Sequence, residues 1–340
     1  MTDIIGYGGF FLTMALTYAI MCLGLNLQWG QTGVFNVGVA GFVAIGAYTS
    51  ALLTTPETAG RLGGFELPIG IGWLGAFLVA GVLSAVIGWM TIRLRADYLA
   101  ITTFGFAVAI QLAALNLQGL TGGPFGIGFI PRPFNAWAGS PLVFGLGNLA
   151  VVGVLVVVVY IVLQQLTRSP WGRVLRAIRE DETAAASLGK NPTRFRLQAF
   201  ALGGAIMGLG GAVQGHFIGF IAPENYLPML TFQVWAMLIV GGSGNNRGAI
   251  LGAVLVWGIW ALSAAFIDAV SPAGQQARAA ALQIVIIGVL LCIILLLKPR
   301  GVIGELRTVS RHLGEAGPTP DDPAAEDAST KVDLIGTGKS

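Results

Sequence analysis

The sequence predicts an all-α fold, a polytopic bundle of membrane-spanning helices, and three observations carry that prediction. Only 10% of its 340 residues are charged while 55% belong to the apolar set, whereas soluble domains carry about 25% charge. The charges are gathered into short intervals that separate long uncharged runs. The 50 glycines sit mostly inside those apolar runs.

Each observation also excludes something. So little charge cannot cover the surface of a soluble enzyme, keep a chain disordered or bind nucleic acid. The glycines lack the every-third-residue period of collagen. In water they would weaken helices by roughly 0.5–1 kcal/mol each; in lipid they let helix backbones approach closely. Cys22 and Cys292 both lie in apolar runs and form no metal or redox pattern, so they read as packing residues.

The uncharged runs are 4–56, 67–92, 98–131, 133–167, 197–223, 225–246, 248–267 and 279–297. A spanning helix needs about 20 mainly apolar residues. Spans are therefore expected near 5–27, 34–54, 69–92, 98–118, 143–166, 197–220, 229–243, 248–268 and 279–297. Nine is the preferred count within a range of eight to ten. The first two spans are parted only by Trp29-Gly30-Gln31-Thr32-Gly33, and the short seventh ends in Gly241-Gly242-Ser243-Gly244-Asn245-Asn246. Both are sites for broken or re-entrant helices. Residues 24–53 and 237–266 share an apolar–break–apolar pattern and read as an inverted repeat.

Lysine and arginine set the orientation. One side of the nine-span arrangement receives fourteen basic residues and the other three, Arg61, Arg132 and Arg278. The basic side is expected to be cytoplasmic, with the N-terminus periplasmic and the C-terminus cytoplasmic. Residues 1–311 form the membrane domain in this reading, and 312–340, rich in Pro, Asp, Ala, Ser and Thr, a disordered cytoplasmic tail. The tail spells Gly336-Thr337-Gly338-Lys339-Ser340, but a phosphate-binding loop would need glycine where Asp333 stands and a helix after Ser340. The chain is not expected to hydrolyse ATP or to be an enzyme.

No charged residue lies near the middle of any expected span. Ion-coupled transporters, voltage sensors and charged selectivity rings usually place one there. His216 has no nearby ligands in sequence and reads as a hydrogen-bonded interior residue rather than a metal site. A passage lined by Asn, Gln, Thr, Ser and this histidine suits a neutral or zwitterionic solute, with the energy supplied by a partner.

The longest central hydrophilic stretch, 167–196, holds seven basic and three acidic residues. Ser169-Pro170 starts a helix and Gly189 with Pro192 stops it. Between them Val174, Ile178, Ala185 and Leu188 fall near one face, with Arg173, Arg176 and Arg179 mostly on others. The pattern suits either a basic helix on anionic lipid or a short helix docking in the groove of a cytoplasmic partner.

This stretch closely resembles the cytoplasmic loop of the permease subunits of bacterial branched-chain amino acid ABC importers. The resemblance rests on Ser169-Pro170-Trp171-Gly172-Arg173, Arg176-Ala177-Ile178-Arg179-Glu180, Ala184 to Gly189, and Arg196-Leu197-Gln198-Ala199-Phe200. It extends to Leu25-Asn26-Leu27 with Gly30 and Gly33, to Gly46-Ala47-Tyr48, to the Arg93–Ile101 block and to Thr121-Gly122-Gly123 with Gly126. Gly241-Gly242 through Gly248, Gly252-Ala253 and Lys298-Pro299-Arg300-Gly301 complete it. Ala96 stands where the family commonly has glycine. The external Thr-Gly-Gly loop marks the larger permease type.

The resemblance implies a bacterial inner-membrane complex. A second homologous permease would share the pathway, two cytoplasmic ATPases would hold ATP and Mg, and a periplasmic solute-binding protein would deliver the solute. This chain would bind no cofactor of its own. Residues 172–189 would be the coupling helix, with Gly172, Arg173, Arg176, Ala177, Arg179, Glu180, Asp181, Glu182, Ala185 and Gly189 meeting the ATPases. Urea, short amides and, more distantly, sugars are carried by relatives. An ion-coupled secondary transporter acting alone, or an assembly subunit without a pathway, are the alternatives from other classes.

Two further sets of residues follow from polarity and spacing. Asn26, Asn36, Thr102, Thr103, Asn116, Gln214 and Gln233 are candidates to line the pathway, each serving equally well as an interhelical hydrogen-bonding group. Gly204, Gly208, Gly211, Gly215, Gly248 and Gly252 fall at four-residue spacing and are candidates for tight helix packing; Gly219 extends the second pair.

Overall fold

Among the described residues the chain forms eleven α-helices. They are α1 (Thr2–Leu25), α2 (Val39–Thr54), α3 (Ile69–Thr91), α4 (Ala96–Asn116), α5 (Gln118–Thr121), α6 (Pro141–Arg168), α7 (Pro170–Glu180), α8 (Glu182–Ser187), α9 (Pro192–Ile218), α10 (Pro228–Gly241) and α11 (Asn246–Val270). The structure is a computed structural model that describes residues 2–58, 60–134 and 141–270, with positions 285, 288–289, 292–293, 296–298 and 301–304. Six helices are long and apolar enough to cross a membrane, and α2 and α10 are shorter apolar helices. The expected ninth span, 279–297, lies largely outside the described residues, although Val285, Gly288, Val289, Cys292, Ile293, Leu296 and Leu297 are helical. The tail 312–340 lies wholly outside them.

Helix α9 is the axis of the bundle and is buried along most of its length from Ala199 to Phe217. It packs against α1, α2 and α3. Its glycines make those contacts close. A Cβ at Gly208 would collide with Ala80 of α3, one at Gly211 with the Val43 carbonyl of α2, and one at Gly204 with Ser84 of α3. Gly46 of α2 faces the Gly208 backbone, and Gly24 of α1 lies against the Gly203 carbonyl. With only small side chains or none between them the helices approach closely, which is how membrane helices associate when hydrophobicity alone offers no drive.

The contact pairs also fix direction. Along α1, Met21 lies by Gly210 and Gly24 by Gly203, so α1 runs antiparallel to α9. Along α2, Gly46 lies by Gly208 and Ser50 bonds His216, so α2 runs parallel to α9. In α10, Thr231 reaches Ala40 and Trp235 reaches Asn36, so α10 runs antiparallel to α2. Helices α1 and α10 therefore share one direction, and α2 and α11 return in the other. The segments 24–53 and 237–266 run in the same sense, with both interruptions at the end of the bundle that carries α7 and α8. An inverted relation between these two segments does not hold.

Two expected elements are divided. Helix α1 does not run on to residue 27 as a regular helix. After Leu25 it widens into one π-helical turn, Asn26–Gly30, and residues 33–38 are irregular before α2 begins at Val39. Gly33 takes φ +70°, and the Asn36 side chain accepts the Gly38 amide at 2.7 Å, so this stretch is held out of helix by its own side chains. What remains of the second span, α2, has 16 residues, about 24 Å of rise against a hydrocarbon core of about 30 Å.

The second division is in the hydrophilic segment 167–196. The single helix expected over 172–189 is two helices hinged at Asp181, whose backbone is extended (φ −149°, ψ 104°) and whose carboxylate accepts the Ala184 amide at 3.0 Å. An aspartate that caps the next helix ends the previous one. The hinge breaks the single apolar face expected along 172–189. Gly172, Leu175 and Ile178 are the buried residues of α7, while Val174 is half-buried and Leu188 is 80% exposed.

Candidate translocation and coupling site

The polar interior is concentrated where α1 breaks. Asn26, Gln28, Gln31, Thr32 and Asn36 are all buried, and each finds a partner. The Asn26 side chain donates to Asn246 at 2.8 Å and accepts the Gly244 amide at 2.8 Å. Gln28 donates to the Phe200 carbonyl at 2.7 Å and accepts from Asn36 at 2.6 Å. Gln31 donates to the Gly244 carbonyl at 2.8 Å. Asn36 also offers its carbonyl to the Trp235 indole at 2.9 Å. The break of α1 and the turn between α10 and α11 are thus stitched to one another, since buried polar groups left unpaired are costly.

Aromatic rings close one side of this junction. Trp29, Phe35 and Trp235 stand edge to face at centroid distances of 5.2, 5.4 and 4.8 Å. Beyond the turn, Val302 and Ile303 donate their amides to Val240 and Gly241 at 2.8 and 3.0 Å. Gly248 and Gly252 allow α11 to lie close to α10. A Cβ at Gly248 would stand 2.6 Å from the Gly241 carbonyl oxygen, and one at Gly252 would strike the Met237 carbonyl.

The candidate pathway residues fall into three environments. Asn26 and Asn36 belong to the junction just described. Thr103 is buried beside it and accepts the Val37 amide at 3.0 Å. Gln214 is buried in α9, its side chain turned to the Tyr18 hydroxyl. Thr102 and Asn116 instead lie exposed on the outer face of α4 and donate to carbonyls of their own helix, Tyr98 and Leu112, at 2.7 Å each. Gln233 is half-buried on α10. Helices α4 and α10 both pack on α2.

The candidate packing glycines divide as well. Gly208, Gly211, Gly248 and Gly252 lie at close backbone contacts, and Gly204 lies against the Ser84 side chain. Gly215 meets only the Ile221 side chain, at 3.1 Å. Gly219 is not a packing position: it takes φ +79°, ends α9 and faces Arg132.

The end of α9 away from α7 and α8 is tied shut by the backbone. Ile127 and Ile221 exchange amide–carbonyl bonds at 2.8 and 3.0 Å, Ile130 donates to Gly219 at 3.2 Å, and Arg132 donates to the Ile218 carbonyl. His216 sits beneath this tie. Its Nδ1 donates to the Pro131 carbonyl at 2.7 Å and, on the neutral ring, its Nε2 accepts from Ser50 at 2.8 Å. Both ring nitrogens are engaged, and among the described residues no cluster of His, Cys, Asp or Glu is arranged to hold a metal.

At the other end α7 is seated on the bundle through Gly172, Leu175 and Ile178. A Cβ at Gly172 would strike the Thr167 backbone of α6. Arg173, Ala177, Glu180, Asp181 and Glu182 are exposed, whereas Arg176 and Arg179 are half-buried and turn inward. Helix α8 is exposed except for Ala185 and is held by the Glu182–Arg196 ion pair at 2.7 Å. Gly189 closes it at φ +75°, and Asn191 caps α9 by accepting the Arg194 amide at 3.1 Å.

Gln28, Gln31, Asn246 and Ser50 do not stand out in the sequence. Three of the four lie at or beside the two glycine-rich breaks, and a polar residue adjoining a break inside an apolar run is the signal that finds them.

These features define a class: a multi-pass helical membrane protein with two helix hairpins, α1–α2 and α10–α11, whose turns meet at one end and a helix pair seated there outside the spans. Residues 9–295 match the family model of the permease component of branched-chain amino acid transport systems, and the chain belongs to that family. It is 36% identical over 269 residues to the high-affinity branched-chain amino acid transport system permease protein LivM of Salmonella typhimurium, covering 72% of this chain and 60% of the relative. The permease protein LivH of the same organism is 25% identical over 300 residues, covering 86% of this chain and 93% of the relative. The guanosine ABC transporter permease protein NupQ of Bacillus subtilis is 29% identical over 245 residues, 67% of this chain and 72% of the relative. The chain thus spans about 60% of the length of the LivM relative. No solved structure shows a significant match.

Proposed function

We propose that this chain is one of two permease subunits of an inner-membrane ABC importer for branched-chain, hydrophobic amino acids, driven by ATPase subunits that dock on α7 and α8. The observation that carries the reading is the seating of that helix pair. Its buried side is fixed to the bundle by Gly172, Leu175 and Ile178, and its outer side leaves Ala177, Ala184 and Leu188 exposed beside Glu180, Asp181 and Glu182. A helix pair fixed on one side and free on the other suits the transmission of rigid-body motion.

Charge supports the same assignment of sides. The α7–α8 end carries the basic loop and is cytoplasmic in this reading; the end tied by Ile127 and Ile221 is periplasmic. Exposed Phe125 and Phe129 at that end offer a surface to a solute-binding protein. The buried polar groups of the junction are engaged with one another, while Thr102 and Asn116 remain on the outer face of α4. In this reading the pathway runs against a second permease, along the faces of α2, α4 and α10. Similarity to both LivM and LivH within one organism supports a pair of related subunits.

The test is reconstitution with the paired permease, the ATPases and the binding protein in proteoliposomes. Leucine, isoleucine or valine uptake should require ATP and the binding protein, and omission of the ATPases should abolish it. Uptake driven by an ion gradient without ATPases would overturn the reading. Guanosine is the second solute to assay, because the NupQ relative is named for it; guanosine uptake in place of amino acids would move the substrate and leave the mechanism.

A further inference from the structure

We infer that Arg176 and Arg179 form a latch from α7 onto the interrupted end of α1, and that withdrawal of these two guanidinium groups is what opens the α7–α8 end of the pathway. The inference rests on the importer reading and specifies its coupling step.

The π-helical turn consumes its carbonyls in an irregular order. Gln31 donates to Asn26 at 3.1 Å, Gly33 to Trp29 at 2.9 Å and Val34 to Gln28 at 2.9 Å. The chain then turns away, and the Gly30 carbonyl is met by the Arg179 guanidinium. The open end of a helix carries partial negative charge, so a cation there is favoured. The Arg179 stem lies over Gly33, where an added Cβ would stand 3.1 Å from its Cγ.

Arg176 makes the second attachment. It donates to the Thr167 carbonyl of α6 at 2.9 Å and reaches the Gln31 side chain at 3.4 Å. Through its other end Gln31 holds the Gly244 carbonyl, and Asn26 holds the Gly244 amide. The two arginines therefore touch the junction where the turns of both hairpins meet. A basic helix lying on lipid would direct its arginines to headgroups; Arg173 is exposed, but Arg176 and Arg179 face the protein.

A motion of α7 away from the bundle removes the donors from Gly30 and Gln31 together. Those groups must then be hydrated, and water entering the break separates α1 from the turn between α10 and α11. The arginines are positioning residues in this step, since the solute need not touch them.

The test uses the complete complex carrying Arg176→Gln and Arg179→Gln, singly and together, with Arg179→Lys as the conservative variant. The double variant should assemble and hydrolyse ATP, yet lose about tenfold in solute moved per ATP, the factor expected when hydrogen bonds to charged groups are removed; Arg179→Lys should recover part of it. Unchanged transport per ATP in the double variant, or loss of the ATPases from the complex, overturns the latch. A second readout is independent of transport. With Cys22→Ser and Cys292→Ser in place, Val34→Cys, buried beside the break, should resist a thiol reagent in the parent and react several-fold faster when both arginines are glutamine. Equal reactivity also overturns the latch. A parent complex without ATP-driven uptake would instead remove the importer reading, with the thiol result still deciding the latch.

Discussion

At Gly46 and Gly208 the backbones of α2 and α9 lie so close that neither residue leaves room for a methyl group. Gly46→Ala and Gly208→Ala should each lower stability by about 1–3 kcal/mol through overpacking, read as a fall in the thermal unfolding midpoint in detergent. Gly105→Ala, on α4 with nothing within 4 Å of the added Cβ, should leave the midpoint unchanged or raise it slightly. Asn26→Ala removes the partner of both Gly244 and Asn246 and should cost about 1–3 kcal/mol. Much of this was legible as spacing: glycines four apart on an apolar helix point to one face. Spacing does not say whether the helix continues. Gly219 keeps the interval but takes a left-handed conformation that ends α9, and only the backbone reveals that.

Helices α7 and α8 depend on two small residues. Asp181→Ala should loosen the hinge by about 1 kcal/mol, the usual worth of an N-cap, and lower transport without preventing membrane insertion. Gly189→Pro should do more. Proline is fixed near φ −65° and cannot take the +75° that closes α8, so ATPase activity and uptake should become uncoupled; normal solute transport per ATP in that variant would contradict the seating proposed for α8. The outer bounds of this element could be read from Ser169-Pro170 and Gly189 with Pro192. Its inner face could not, because the sequence pattern alone runs one continuous helix through Asp181. The same residue types that start a helix also end the one before, and a hinge of one residue takes Leu188 of the following turn off the face that Leu175 and Ile178 bury.

For the whole molecule, charge-free runs located the eight described apolar helices to within about five residues, with the ninth expected span largely outside the described residues, and Gly-rich stretches located the turns between α1 and α2 and between α10 and α11. Their mutual contact was out of reach, since residues 26 and 246 are brought together only by the tertiary fold. So was the sense of the two interrupted segments, which depends on which helices they pack against. The burial of Asn26, Asn36 and Thr103 against the exposure of Thr102 and Asn116 belongs to this scale too. Cysteines placed at Thr102 and Asn116 should cross-link to the paired permease in the assembled complex and stay unlinked when this chain is purified alone; linkage to neither partner nor second copy would move the pathway to another face.

Both interruptions lie at one end of the bundle, and that divides its mechanics. Near the Ile127–Ile221 bridge the helices are continuous and pinned by backbone bonds, so that end behaves as a fulcrum. Near α7 and α8 the chain bends within a few residues, at Asn26–Gly38 and Gly242–Asn245, where helical hydrogen bonds are already interrupted. Amide protons of these two stretches should therefore exchange with deuterium well before those of α9 from Ala205 to Val213, and in step with each other. Local compliance at one end and stiffness at the other give the bundle a preferred place to yield first.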